Sequence, residues 1–261
     1  MTKQEAMSEE FDTVARWTSE AVAELGPDHA LPAACRGSGS PAALEWLARR
    51  TGCHPDTRLL DVGAGLGGPA EYAARSFGVR PVLVEPMLGA CRSSLALFGR
   101  PVTTASGEAL PIRSAAFDVV WCLGVLCTVE DQAAMLAELR RVVTPGGRVG
   151  LLVFVRVVDR LPEQPEGNNF PSPDDLERLC AGVGLSIEAQ VDLADFPAPD
   201  ETWTDAVAAV DALIARDHGD DERFDEASRQ EAVMARLLDD GLVVGRLCVA
   251  VPVTPPARAS H

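Results

Sequence analysis

Four groups of residues in this 261-residue chain have the types and spacing to do chemistry. In the first, Leu59 and Leu60 lead into Asp61, and Gly63, Gly65, Gly67 and Gly68 then lead into Pro69 and Ala70. Glycines at alternate positions between a buried strand and a helix start let the chain turn sharply and a ligand approach the backbone, with free amides facing it. Gly63, Gly65 and Gly67 fit the G-x-G-x-G form, whereas Gly63, Gly65 and Gly68 fit the dinucleotide form G-x-G-x-x-G, so the local pattern leaves the ligand open. In the second group, the apolar run at residues 82–84 ends in Glu85, a two-oxygen acceptor suited to a pair of hydroxyls. The third is Arg36, in a glycine-serine stretch where a guanidinium can clamp a carboxylate. The fourth is the histidines: His261 is terminal, His54 precedes the first strand, and His29 and His218 lie in segments that can cover a site, with His29 the better proton-transfer candidate.

The composition narrows what such residues serve. The formal charge is −16, and from residue 159 onward 22 acids face 8 arginines, so the C-terminal part carries most of the negative field. That field repels phosphate backbones and anionic lipid, which argues against nucleic-acid and membrane partners. No apolar run is long enough to span a bilayer, and residues 1–25 carry acids where an export signal has a basic start, so a cytoplasmic protein is expected. The seven cysteines are scattered without a C-x-x-C pair, which predicts buried thiols with neither a disulfide framework nor a metal site.

The elements that position these residues follow from periodicity. Residues 8–25 repeat apolar side chains at helical spacing, and Ser40 and Pro41 start a second helix running to about Arg50. From residue 58 the chain alternates: strand 58–62, helix 69–77, strand 81–85, helix 88–97, strand 101–105, strand 117–122, helix 131–143, a turn at Pro145 to Gly147, and strand 149–155. Alternating strands and helices imply a parallel sheet with ligands at the strand carboxyl ends. The rhythm then changes to a proline-rich loop at 162–173, a helix at 174–181, a strand at 185–191, two acidic helices at 203–215 and 225–239, and a last strand at 243–251. The expected organisation is N-terminal helices covering the site (1–52), a ligand-binding core (53–158), the end of the sheet with an inserted acidic helical lid (159–253), and a disordered tail (254–261).

The spacing of later motifs discriminates between ligands. After the glycine turn come Glu85 at the end of strand two, Ser106-Gly107-Glu108 with Pro111 after strand three, Phe117 to Trp121 entering strand four, and Arg140 to Arg148 around Pro145-Gly146-Gly147. Over residues 58–155 this series resembles the class I S-adenosylmethionine-dependent methyltransferases, in particular the small-molecule group of the methyltransferase type 11 kind, whose glycine turn continues into Gly68, Pro69 and Ala70. The resemblance implies an α/β, Rossmann-like seven-stranded sheet with an antiparallel last strand, helices on both faces and a helical lid. It also implies S-adenosyl-L-methionine as cofactor and S-adenosyl-L-homocysteine as product. Asp61, Gly63, Gly65 and Gly67 are then expected at the methionine end, Glu85 on the ribose, and Met87, Ser106, Gly107 and Glu108 around the adenine. Cys122, Leu123 and Gly124 are expected beside the methyl group. Ser106 departs from the family's common Asp, and Thr128 stands where the family often has His, so Thr128 is the second catalytic candidate and serves only to orient a substrate or water.

Acceptor contacts are expected from Trp17, Arg36, Asn169, Phe170 and Trp203, which lie in segments above the strand ends. The implied activity is methyl transfer to a small metabolite, with a natural-product intermediate of secondary metabolism as the expected kind, by a monomer or homodimer. The alternative is a protein of the same fold that keeps the cofactor and promotes a cyclisation or rearrangement.

Overall fold

In the computed structural model, which describes residues 3–253, the apolar runs close into one seven-stranded sheet. Its strands are β1 (Leu59–Val62), β2 (Val82–Glu85), β3 (Val102–Thr104), β4 (Phe117–Leu123), β5 (Val143–Arg156), β6 (Leu185–Asp192) and β7 (Val243–Pro252), in the order β3-β2-β1-β4-β5-β7-β6. β1 pairs parallel with β2 and with β4, placing Asp61 between Leu83 and Trp121. β7 runs antiparallel to β5 and to β6, as expected for the last strand. The chain leaves β1 toward one edge through β2 and β3, then returns to its other side at β4, and this reversal opens a crevice at the strand carboxyl ends.

Nine α-helices are described: α1 (Lys3–Leu25), α2 (Ala30–Ala34), α3 (Pro41–Thr51), α4 (Gly68–Phe77), α5 (Leu88–Phe98), α6 (Gln132–Val142), α7 (Pro173–Gly182), α8 (Glu201–His218) and α9 (Glu222–Asp239). Because strand side chains alternate between faces, Leu60, Val120 and Cys122 pack with Met135 and Leu139 of α6, while Leu59, Val119 and Trp121 pack with Leu44 and Leu47 of α3. Ser40 caps α3 through its Oγ, which accepts from the Ala43 amide at 3.3 Å.

Several boundaries differ from the sequence expectation for physical reasons. α1 starts at Lys3, before the expected residue 8, and buried Met7 adds a turn to the stripe of Phe11 and Val14. α2 was not expected, being five residues after a 3-10 turn at Pro27–His29 and too short for periodicity to register. β5 begins early, at Val143, which pairs with Phe117; the next pair is Arg148 with Val119, so the residues around Gly146 (φ 83°) leave the ladder as the expected turn.

The two acidic helices pack against different parts of the molecule. α8 buries Val210, Leu213 and Ile214 against Trp17, Ala21 and Val22 of α1 and Ala30 and Ala33 of α2. Some of the acids start helices: Asp200 accepts from the Trp203 amide at 2.8 Å and Asp221 from the Arg223 amide at 2.9 Å. The seven cysteines are buried free thiols. Among the described residues no helix is long and apolar enough to cross a membrane, and no group of three or more His, Cys, Asp or Glu residues could hold a metal ion. The expected C-terminal tail lies outside the described residues.

Candidate functional site

Two carboxylates end adjacent strands, Asp61 in β1 and Glu85 in β2, and each is 2% exposed. The turn after β1 is tied to β2 because the Gly63 and Ala64 amides both donate to the Val84 carbonyl, at 2.8 and 3.1 Å. The glycine turn then bends back over Glu85, whose Oε2 accepts from the Gly65 amide at 2.8 Å while Oε1 accepts from the Met87 amide at 3.0 Å. Burial raises the Glu85 pKa, and the two amides act against that rise. An ionised carboxylate has about four lone-pair sites, so Glu85 is oriented by the backbone with acceptor capacity left toward the crevice.

Asp61 has a different environment. Its Oδ2 is buried without a hydrogen-bond partner, and burial, followed by the Glu85 charge, pushes its pKa up to about 7. A buried acceptor without a donor is uncommon in a native fold and points to an incoming donor. The glycines divide the remaining work. A Cβ on Gly65 (φ 53°) would meet nothing within 4 Å, so open space lies over its backbone, whereas one on Gly67 (φ 81°) would lie 2.7 Å from Leu83 Cδ2.

These strand ends face a cavity of about 940 Å³. Gly63, Gly65, Glu85, Met87, Ser106, Gly107, Glu108 and Leu123 lie on its wall, together with Arg36 and Thr128. Asp61, Gly67 and Cys122 do not. Asp61 sits behind the turn, Gly67 serves the turn's conformation, and strand alternation sends Cys122 into the α6 side of the core while its neighbour Leu123 reaches the cavity. Burial and the Asp61 charge raise the Cys122 thiol pKa, which keeps it protonated. Ser106 Oγ accepts from the Glu108 amide at 3.2 Å and lies 3.3 Å from Glu108 Oε2, so the serine is engaged within its own turn.

Of the two catalytic candidates Thr128 is on the cavity wall and His29 is not, and most acceptor candidates lie off that wall. Thr128 Oγ1 donates to the Val125 carbonyl at 2.8 Å. His29 is off the cavity wall, in the turn before α2, with Nδ1 buried and unpartnered. Trp17 is 1% exposed and stacks on His218 at 4.3 Å between ring centroids; the stripe that made it look available is the α1–α8 seam. Trp203 packs with the α3-side core, and Phe170 is buried with Leu237 and Val243. Asn169 is fixed by its backbone, with its amide donating to the Cys127 carbonyl and its carbonyl accepting from Gln132 Nε2, both at 2.7 Å. Asn169 and Phe170 border a separate pocket of about 530 Å³, and Asn168 is the residue of that loop on the main cavity. Arg36 is on the main wall, ion-paired with Asp211 of α8.

The sequence reading expected N-terminal helices and acidic helices over the site but did not name the residues of α1 and α9 that line it, where Met7, Glu10 and Val14 meet Gln230, Glu231 and Met234 around the cavity. Periodicity shows that such helices have two faces, but an inward polar face looks the same in sequence as a solvated one.

Residues 60–151 match the family model described as a methyltransferase domain. The glycine/sarcosine/dimethylglycine N-methyltransferase of Actinopolyspora halophila is 34% identical over 119 residues, covering 43% of this chain and 21% of that protein. The ubiquinone biosynthesis O-methyltransferase of Aromatoleum aromaticum is 29% identical over 209 residues, 71% of this chain and 84% of that one. The crystal structure of the 4+2 cyclase SpnF aligns with a TM-score of 0.66 and 22% identity, covering 84% of each chain. This chain spans between 21% and 54% of the length of the first three curated relatives it matches. Residues 60–151 thus match a methyltransferase domain, and the seven-stranded sheet with its antiparallel last strand is the Rossmann-like fold of the class I methyltransferases.

Proposed function

We propose that the protein transfers a methyl group from S-adenosylmethionine to a small-molecule acceptor, as a cytoplasmic enzyme of secondary metabolism. The observation that carries this reading is the pair of buried strand-end carboxylates, with Asp61 Oδ2 lacking a donor and Glu85 held by two amides, around the open backbone of Gly65. The pair fits a ligand with an ammonium at one end and vicinal hydroxyls in the middle. When bound, the cofactor supplies a sulfonium-activated methyl group. Glu85 would accept from the ribose hydroxyls, Asp61 would supply the acceptor behind the ammonium, and Met87, Ser106, Gly107 and Glu108 would surround the adenine. Leu123 and Gly124 would border the methyl end, and α1 and α9 would exclude water while aligning the acceptor.

A second reading has its own support. Among the described residues lining the cavity there is no histidine or lysine, and Thr128 Oγ1 donates to a carbonyl, so proton abstraction from a hydroxyl acceptor has no described imidazole to use. In this reading the cofactor stays bound while the pocket promotes a cyclisation or rearrangement. Calorimetric titration with S-adenosylmethionine and with NADH tests the shared part, and absence of S-adenosylmethionine binding by folded protein would sink both readings. A metabolite screen with labelled methyl donor then separates them, because methyl transfer releases S-adenosylhomocysteine in step with turnover and the alternative does not.

A further inference from the structure

Beyond the cofactor end, the cavity has a second half whose charge is one-sided. Its apolar wall is formed by Met7 and Val14 of α1, Phe154 of β5, and Met234 and Leu238 of α9. Set into that wall are Glu10, Glu166 and Glu231, with the amides of Asn168 and Gln230. Among the described residues the lining includes one cationic side chain, Arg36, and Asp211 already pairs with it. Gln230 is itself positioned, since its Oε1 accepts from the Glu166 amide at 2.9 Å and its Nε2 donates to Glu226 Oε1 at 2.5 Å.

We propose that Glu10 is the specificity-determining residue of this half, holding the protonated amino group of an acceptor whose apolar body lies along Met7, Phe154, Met234 and Leu238. The inference rests on the methyltransferase reading for the word acceptor, and its test does not depend on turnover. Anionic ligands, such as carboxylates and phosphates, would bring their charge against Glu10 and Glu231 in a space that water only partly screens. Neutral apolar ligands would leave Glu10 desolvated without a partner. A solvated acidic face does not account for this residue, because Glu10 is half-buried on the cavity wall that α1 shares with α9. Burial, and after it the Glu226 carboxylate, push its pKa up to about 7, so the surroundings of Glu10 disfavour the charge that an ammonium beside it would restore.

The test uses octylamine, 1-octanol and octanoate, which share a tail and differ in head group. Binding is measured by ligand-observed NMR on the full chain, both alone and with S-adenosylhomocysteine. The expected result is that octylamine binds about tenfold or more tighter than octanol, that octanoate binds weakest, and that Glu10→Gln brings amine and alcohol within about twofold of each other. Glu231→Gln should reduce the preference partially, and circular-dichroism melting checks that each variant is folded. Equal affinity for amine and alcohol in the wild type would overturn the proposal, as would an amine preference that survives Glu10→Gln. Failure of S-adenosylhomocysteine to bind, with the amine preference intact, would instead remove the cofactor reading and leave the charge recognition standing.

Discussion

At the scale of single residues, the site works by holding carboxylates out of water with unequal support. Glu85 has two amide donors and Asp61 Oδ2 has none, so the two residues should respond differently to substitution. Glu85→Ala is expected to weaken S-adenosylmethionine binding by about 1–3 kcal/mol while the fold survives, as read by calorimetry. Asp61 should trade stability for binding. Its pKa is raised from 3.8 to about 7, so its contribution to folding is fully present below about pH 4 and is lost as pH rises toward about 7. Asp61→Asn is therefore expected to raise the melting temperature of the ligand-free protein at pH 8 and to weaken S-adenosylmethionine binding. Wild-type affinity should climb severalfold between about pH 5.5 and 7.5 as Asp61 ionises, and the Asn variant should be flat across that range. A variant that keeps the wild-type slope would exclude Asp61 as the titrating group.

At the scale of elements, the glycine turn is fixed by what packs on it from outside the sheet. Gly68 opens α4 beneath the end of α2, where an added Cβ would collide with the Ala34 carbonyl and lie 2.7 Å from the Cys35 amide. Gly68→Ala is expected to destabilise the protein by about 1–3 kcal/mol in urea unfolding, and to displace the α2 segment that leads into Arg36. Gly65→Ala has room for its methyl group but a φ of 53°, so it should act mainly on ligand affinity. If the two substitutions produced the same balance of stability and binding losses, the division between packing glycine and approach glycine would be wrong. α1 has a similar double role. Asp12 Oδ1 accepts from the Ala90 amide at 2.8 Å at the start of α5, while other α1 residues reach the cavity, so the cover is docked on the same elements that carry the site.

At the scale of the whole molecule, the formal charge of −16 produces a field that acts on charged ligands before contact. S-adenosylmethionine carries one more positive charge than S-adenosylhomocysteine, so the affinity ratio between them should fall about two- to fivefold between 0.05 and 0.5 M salt. A ratio independent of salt would show that the acidic surface is too far from the cavity to matter.

The sequence by itself determined the sheet and picked out strand-end residues that reach the cavity, among them Gly63, Gly65 and Glu85, because each is encoded locally. Apolar runs of strand length alternated with helical stripes, and the glycine turn, Glu85, Ser106 and the Pro145 turn kept a readable spacing. It also marked the acceptor-side segments without showing which of their faces turned inward. Only the tertiary structure decided that α8 braces α1 while α9 lines the cavity, that Trp17 is buried in the α1–α8 seam, and that Cys122 faces away while Leu123 faces in. The physical reason is that a periodic pattern fixes the relative directions of side chains within one element, whereas the neighbour each face meets is set by contacts between residues far apart in the chain.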